Sequence, residues 1–303
     1  LSLVGMIRFW QGKAATSEQV FERALGHARE ADDRRQEGEI LRRLALAIDV
    51  GPTPAEEGIR RLDTIIDQSH GDRRVEVGVA RARAELEAMR GRFDEARRSV
   101  EQGKALAREL GDRVALAAIH RDAGLVEMRA GDAVAHEREA RAGYEILQRI
   151  GDTGHLASAA PDLAEAVYAQ GRYDEALELA QFARGITILG DVDAEVRGLQ
   201  VLAKATARLG DLDEAEALSA EAVRLIAATD YDELHAFTLM SQAEVLSLGG
   251  RTQGAVSAAS EAIELFRRRA TWSPRLARPR SSTSSRRSAG DQPAQPIDGA
   301  ALR

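Results

Sequence analysis

From residue 173 to residue 183 the apolar side chains Tyr173, Ala176, Leu177, Ala180 and Ala183 recur at steps of three and four, which puts them on one face of an α-helix. The same period returns in segment after segment. Each segment is closed by a helix breaker. One set of glycines falls at Gly12, Gly51, Gly91, Gly131, Gly171, Gly210 and Gly250, with gaps of 39, 40, 40, 40, 39 and 40 residues. A second set falls midway, at Gly71, Gly111, Gly151 and Gly190, with Asp32 and Asp230 in the equivalent places. Glycine past a helix end takes the left-handed conformation without steric cost. The pattern therefore predicts helices of roughly 15 to 17 residues, about 25 Å long at ~1.5 Å per residue, joined by short turns. Alternating β-branched runs bounded by turn residues are missing, so no strand is expected.

Asp or Arg follows most of these glycines, as in Gly111-Asp112, Gly131-Asp132, Gly151-Asp152 and Gly171-Arg172. An Asp just before a helix accepts its free N–H groups and complements the dipole there. Small residues recur at fixed phase. Twelve positions after the first glycine set stand Ala24, Gly103, Gly143, Ala183, Ala222 and Ala262. Side chains this small let two helices approach closely, as a stack of tight hairpins requires.

The segments Gly91-Arg92-Phe93-Asp94-Glu95-Ala96, Gly171-Arg172-Tyr173-Asp174-Glu175-Ala176 and Gly210-Asp211-Leu212-Asp213-Glu214-Ala215 resemble the turn and second-helix start of tetratricopeptide repeats. Over about residues 8–269 the chain also resembles the C-terminal repeat region of bacterial regulators that carry an AAA-type ATPase module, often with an adenylate/guanylate cyclase domain. The segments Ala88-Met89-Arg90-Gly91-Arg92, Ala123-Gly124-Leu125-Val126-Glu127 and Ala243-Glu244-Val245-Leu246 carry that likeness. The resemblance implies an all-α, right-handed α-solenoid of about seven antiparallel hairpins with a period near 40 residues. The hairpins are expected at roughly 1–31, 32–70, 71–110, 111–150, 151–189, 190–229 and 230–268. Three places depart from the pattern. Gly58 stands where Ala is expected and weakens its helix slightly. Pro161 either kinks the helix across 154–169 or begins it. The third is the tail.

Residues 269–303 form a basic Ser/Pro/Arg-rich stretch expected to be disordered, because such composition buries too little apolar surface to offset ordering entropy. From 267 onward nine Arg face Asp291 and Asp298, leaving the tail at +7 and the rest at −14. A shifted reading frame is an alternative account of it. With a net charge of −7, the chain lacks the basic face of a general nucleic-acid binder. No cysteine is present, which removes disulfides and thiol chemistry and fits a cytoplasmic setting. No apolar run approaches the ~18 to 20 residues of a membrane span. The opening residues read like the middle of a helix and suggest a piece of a longer protein.

Reaction chemistry is not found. Trp10-Gln11-Gly12-Lys13-Ala14 lacks the earlier glycine and the hydroxyl of a phosphate-binding loop. The six histidines never pair at helical spacing, so no metal site is expected. Asp94-Glu95 and Asp174-Glu175 recur at one phase of the repeat and read as helix-start charges rather than as acid–base pairs. Thr53-Pro54-Ala55-Glu56 reads as a capping box with proline at the first helical position. Phe93, Tyr173, Leu212 and Trp10 read as wedges between hairpins.

The family resemblance places the first helix of each hairpin on the concave side. Carrying its groove positions across by phase gives Arg81, Arg121, Tyr168, Arg197, Lys204 and Arg208, with Glu85, Glu165 and Glu244 among them. Arg121, Arg197 and Lys204 would form a basic strip. The expected function is a non-catalytic scaffold that grips a protein or peptide, the docking or sensing region of a larger signalling or transcriptional regulator. The alternative is the regulatory end of an ATP-dependent cyclase. No cofactor, catalytic residue, nucleic acid or membrane partner is expected.

Overall fold

In a computed structural model the chain is described over residues 1–188 and 190–269. Fourteen helices and no strand lie among the described residues. They pair in chain order into seven hairpins: α1 (Ser2–Trp10) with α2 (Ala14–Glu30), α3 (Arg34–Val50) with α4 (Ala55–Gln68), α5 (Arg73–Met89) with α6 (Phe93–Glu109), α7 (Arg113–Ala130) with α8 (Ala133–Ile150), α9 (Thr153–Tyr168) with α10 (Tyr173–Ile186), α11 (Val192–Arg208) with α12 (Leu212–Ile226), and α13 (Asp232–Leu248) with α14 (Thr252–Arg268). First helices also pack on first helices, α3 on α5, α5 on α7, α9 on α11 and α11 on α13. The fold is an α-solenoid. Apart from Arg269, the tail and its disorder lie outside the described residues.

The breakers explain the turns. Ten glycines, among them Gly91, Gly131, Gly171 and Gly250, adopt positive φ, and Asp32 does the same where glycine is missing. Asp33, Asp72, Asp112, Asp132, Asp152, Asp191 and Asp211 each cap the next helix by accepting a backbone N–H. Gly51 differs. Its backbone is extended (φ −75°, ψ −176°), and glycine is needed there for space: a Cβ would stand 2.8 Å from the Ala47 carbonyl oxygen and 3.1 Å from the Ala14 side chain.

Four expectations need correction or refinement. Pro54 is not the first helical residue; it is the residue before α4, in an extended conformation, and no side chain caps that end. Thr53 is engaged elsewhere, its carbonyl accepting from Arg269 at 2.8 Å. Pro161 lies inside α9 rather than at its start. Gly58 is a packing requirement, since a Cβ there would come within 2.8 Å of Leu86 and 3.2 Å of Ile48. Trp10 is not a wedge. It is 49% exposed, because α1 ends there and the chain turns toward residues 228–231 instead of onto a neighbouring helix. Phe93, Tyr173 and Leu212 do pack against the hairpin cores.

The two ends of the stack meet. Asp230 accepts from the N–H groups of Ala14 (2.7 Å) and Ala15 (3.0 Å), and so caps α2 from 216 positions away. Its own N–H donates to the Gly12 carbonyl at 3.0 Å. Lys13 reaches the Ala228 carbonyl. The Tyr231 hydroxyl donates to Phe9 O at 2.5 Å, with the two rings 6.2 Å apart. Ala14 is buried in one apolar cluster with Val196, Ile226, Tyr231 and Leu234. A second joint lies at Arg269, grouped by sequence with the tail but fully buried. Its guanidinium donates to the carbonyls of Asp49 (2.5 Å) and Thr53 (2.8 Å), and its own carbonyl accepts from Ala55. The correction has a simple cause: carbonyls left free where α3 ends offer Arg269 better partners than water. Asp230→Ala removes a charged cap and is expected to lower stability by about 1–2 kcal/mol, read from urea denaturation, with faster amide exchange at Ala14 and Ala15.

Candidate functional site

The first helices pack side by side, and their charged residues pair from one hairpin to the next. Arg81 on α5 donates to Asp122 on α7 at 2.6 Å and 3.2 Å. Forty residues on, Arg121 repeats this toward Asp162 on α9 and also reaches Asp193 on α11 at 3.1 Å. Arg197 bonds Asp193 at 2.9 Å and Asp162 at 3.5 Å. Burial alone would lower the Arg121 guanidinium and raise the Asp193 carboxyl. Their mutual attraction outweighs it: Asp162, Asp193 and Asp122 hold Arg121 well above its usual value, and Arg197 and Arg121 hold Asp193 below its own.

A second group stands apart. Lys204 grips both oxygens of Glu165 at 2.6 Å and lies 4.6 Å from the Tyr168 ring centre. The Tyr168 hydroxyl donates to Glu244 at 2.5 Å and accepts from Arg208 at 3.1 Å, while Arg208 also bonds Glu244 at 2.6 Å. The six sequence-selected residues thus fall into two sets: Arg81, Arg121 and Arg197, and Tyr168, Lys204 and Arg208. The basic strip expected from Arg121, Arg197 and Lys204 is not a strip of free cations. Each is paired with carboxylates of first helices, Arg197 chiefly with Asp193 on its own helix.

Two cavities open beside the first set, of 480 Å³ and 370 Å³. Arg42, Leu46, Arg81, Arg121, His155 and Ser158 line both. The smaller one also reaches Arg197 and is bounded by residues from both ends of the stack, including Trp10, Asp49, Tyr231 and Glu233. A buried ionic group stands in its wall. Arg129 on α7, 7% exposed, bonds Glu85 on α5 at 2.7 Å and Glu233 on α13 at 2.8 Å. Burial pushes the Glu85 carboxyl up to about 7 against the pull of Arg129, and it pushes Asp49 well above the carboxylate range.

Sequence reasoning missed Asp49, Asp122, Arg129, Asp162, Asp193 and Glu233. A usable signal exists for two of them. Asp122 and Asp162 each follow an Arg of the preceding repeat by 41 positions, which marks a ladder. Asp49 and Glu233 come into the site only because the stack meets itself, and no local pattern shows that. Among the described residues no group of three His, Cys, Asp or Glu is placed to hold a metal ion, and no helix is long and apolar enough to cross a membrane.

Known structures share this fold. A Rap protein complexed with competence and sporulation factor is 15% identical, with a TM-score of 0.68 over 88% of this chain and 74% of that one. This is a tetratricopeptide-like repeat fold. NprR in complex with its cognate peptide NprX has the same fold at 13% identity and a TM-score of 0.56, over 83% of this chain and 80% of that one. A signal-transduction ATPase with numerous domains and a tetratricopeptide repeat sensor, from Pyrococcus horikoshii, matches at 16% identity and a TM-score of 0.51, over 86% of this chain and 41% of its own. No protein-family model matches the sequence, and none of the curated proteins matches it.

Proposed function

We propose that this tetratricopeptide-like chain is a non-catalytic interaction module that holds a peptide segment of a partner protein inside its turn. The observation that carries this is the pair of adjoining cavities on the inner face, lined by Arg81, Arg121 and Arg197 and their carboxylate partners. Fixed ion pairs at a cavity wall present directed donors and acceptors to a backbone, and the apolar residues between them accept side chains. NprR, which shares the fold, is solved with a peptide bound. In this reading Tyr168, Lys204 and Arg208 extend the same inner face toward the last hairpin.

Panning a phage library of random dodecapeptides against the immobilised full chain tests the reading. Enriched sequences that bind wild type are expected to lose at least about tenfold in affinity to Ser158→Tyr, which sets a bulky ring at a position that lines both cavities, a loss of ~1.4 kcal/mol. The melting temperature should stay within a few degrees, because Ser158 is only half-buried. Undiminished binding to this variant would move the site elsewhere.

The parent of such a module is, in our reading, a larger cytoplasmic regulator. The sequence likeness to the repeat regions of AAA-type ATPase and cyclase regulators supports it, as does the fold shared with an ATPase that carries a repeat sensor. Reading the coding DNA upstream tests it: a phosphate-binding loop there supports an ATP-dependent regulator, and cyclase residues support the cyclase form.

A further inference from the structure

Asp49 and Glu85 line the 370 Å³ cavity, and each has one buried carboxylate oxygen with no partner among the described residues, Oδ1 and Oε1. The two residues are 9% and 5% exposed. A buried acceptor without a donor is costly, and a buried charge without one costs more. Burial and the charge of Glu85 strengthen the hold of Asp49 on a proton, and a cation seated there would take that proton's place.

The cations nearby do not meet that demand. Arg129 gives its donors to the other oxygen of Glu85, to Glu233 and to the Leu125 carbonyl. Arg81 is held by Asp122, and Arg121 and Arg197 by Asp162 and Asp193. Arg42 and Arg43 both bind Glu39. Arg269 lies against Asp49; its terminal nitrogens donate to backbone carbonyls and to the Met89 sulfur, and its Nε is buried without a partner among the described residues. Among the residues that line the cavity the unpartnered buried atoms are acceptors, so an anion does not suit it. A metal ion does not suit it either, since no third ligand stands in place.

The rest of the lining fits a cation on an apolar stem. Met6, Phe9, Trp10, Val50 and Met89 form one side, and Tyr231 is fixed there by its bond to Phe9 O. Aromatic faces attract ammonium and guanidinium groups, and long basic side chains lay their methylenes along apolar walls. A volume of 370 Å³ holds a side chain with its backbone, not a folded element.

We infer that this cavity is the receptor for one lysine or arginine side chain of the bound peptide, seated against Asp49 and Glu85. The inference rests on the peptide-holding reading above and deepens it. The turn then selects its partner by one buried basic residue, while the ion-paired first helices hold the flanking backbone.

The test uses the peptides selected by panning on the full chain. They are expected to share a lysine or arginine. Replacing it by citrulline or norleucine should weaken binding to wild type at least about tenfold, the scale of a charge-assisted bond in a buried site. On Asp49→Asn/Glu85→Gln, and on Asp49→Asn alone if the double variant does not fold, the same replacement should change affinity less than twofold. Selected peptides whose basic residue can be neutralised on wild type with less than a twofold effect would overturn the inference and leave peptide holding intact. No enrichment over blank support would overturn both.

Discussion

Arg129→Met is expected to destabilise the chain by about 3–5 kcal/mol, the largest single effect foreseen. Arg129 is almost wholly buried and donates from α7 to Glu85 on α5 and to Glu233 on α13. It also bonds the Leu125 carbonyl and lies 5.7 Å from the centre of the Phe237 ring. Methionine keeps much of the volume but leaves two carboxylates enclosed without a counter-charge. The loss should depend on pH in a defined direction. The native Glu85 carboxyl sits at about 7, against an ordinary value of 4.5. The folded chain thus binds more protons there than the unfolded chain between those values. That contribution to stability is complete below about pH 4.5 and is lost as pH rises through 7, with a slope that approaches ~1.4 kcal/mol per pH unit for one proton. Without Arg129 the carboxyl rises further, so the variant should regain stability on acidification from pH 8 to 5. Adding Glu85→Gln should remove most of that dependence. Urea denaturation at several pH values measures both, and a variant equally stable at all of them would refute the assignment.

Gly143→Leu is expected to cost more than about 3 kcal/mol, and Gly143→Ala about 1–2 kcal/mol after the alanine's better helix propensity is counted. Gly143 lies on α8 where it crosses α7. A Cβ there would stand 2.8 Å from the Ala117 carbonyl oxygen, 3.3 Å from His120 Cβ and 3.5 Å from the Arg121 nitrogen. Two of these atoms are backbone and cannot rotate away, so the hairpin must open. Opening it would also shift Arg121, which holds Asp162 and Asp193 together. Gly26 on α2 is the control. Nothing lies within 4 Å of a Cβ built there, and Gly26→Ala should stabilise by about 0.5–1 kcal/mol. Thermal melts followed by helical signal separate the three variants, and a neutral Gly143→Leu would contradict the close crossing.

Gly143 also shows what the sequence makes legible. Its phase, twelve residues after Gly131, marks it as a close-approach position before any coordinate is known. The capping aspartates and most of the turn glycines are legible in the same way. Each is a local rule, decided by backbone dihedrals or by neighbours a few residues off, and the repeat copies it. Legibility fails where a partner is remote. Pro54 is displaced from its helical position while the Thr53 carbonyl is held by Arg269, 216 residues later. Trp10 is left half open because its turn faces residue 228. The inner charges were legible as charges on first helices, but not as pairs: a 41-residue offset shows in the sequence, whereas the partner that an arginine reaches depends on the rotation between hairpins. Asp49 carries no signature at all, and Glu85 is legible only as a charge at a groove phase, since what marks both is the want of a donor.

Ordinary repeat arrays behave as one-dimensional chains in which each unit leans only on its neighbours. The bond of Asp230 to the start of α2 and the seat of Arg269 on the α3–α4 connection change that arithmetic. Unit number becomes fixed, because inserting or deleting one hairpin would carry both fastenings out of reach. Damage at either terminus should be felt at the other, so melting should proceed as one event rather than by peeling. Residues 1–269 are in that sense a belt with a set number of notches, buckled at Asp230 and again at Arg269.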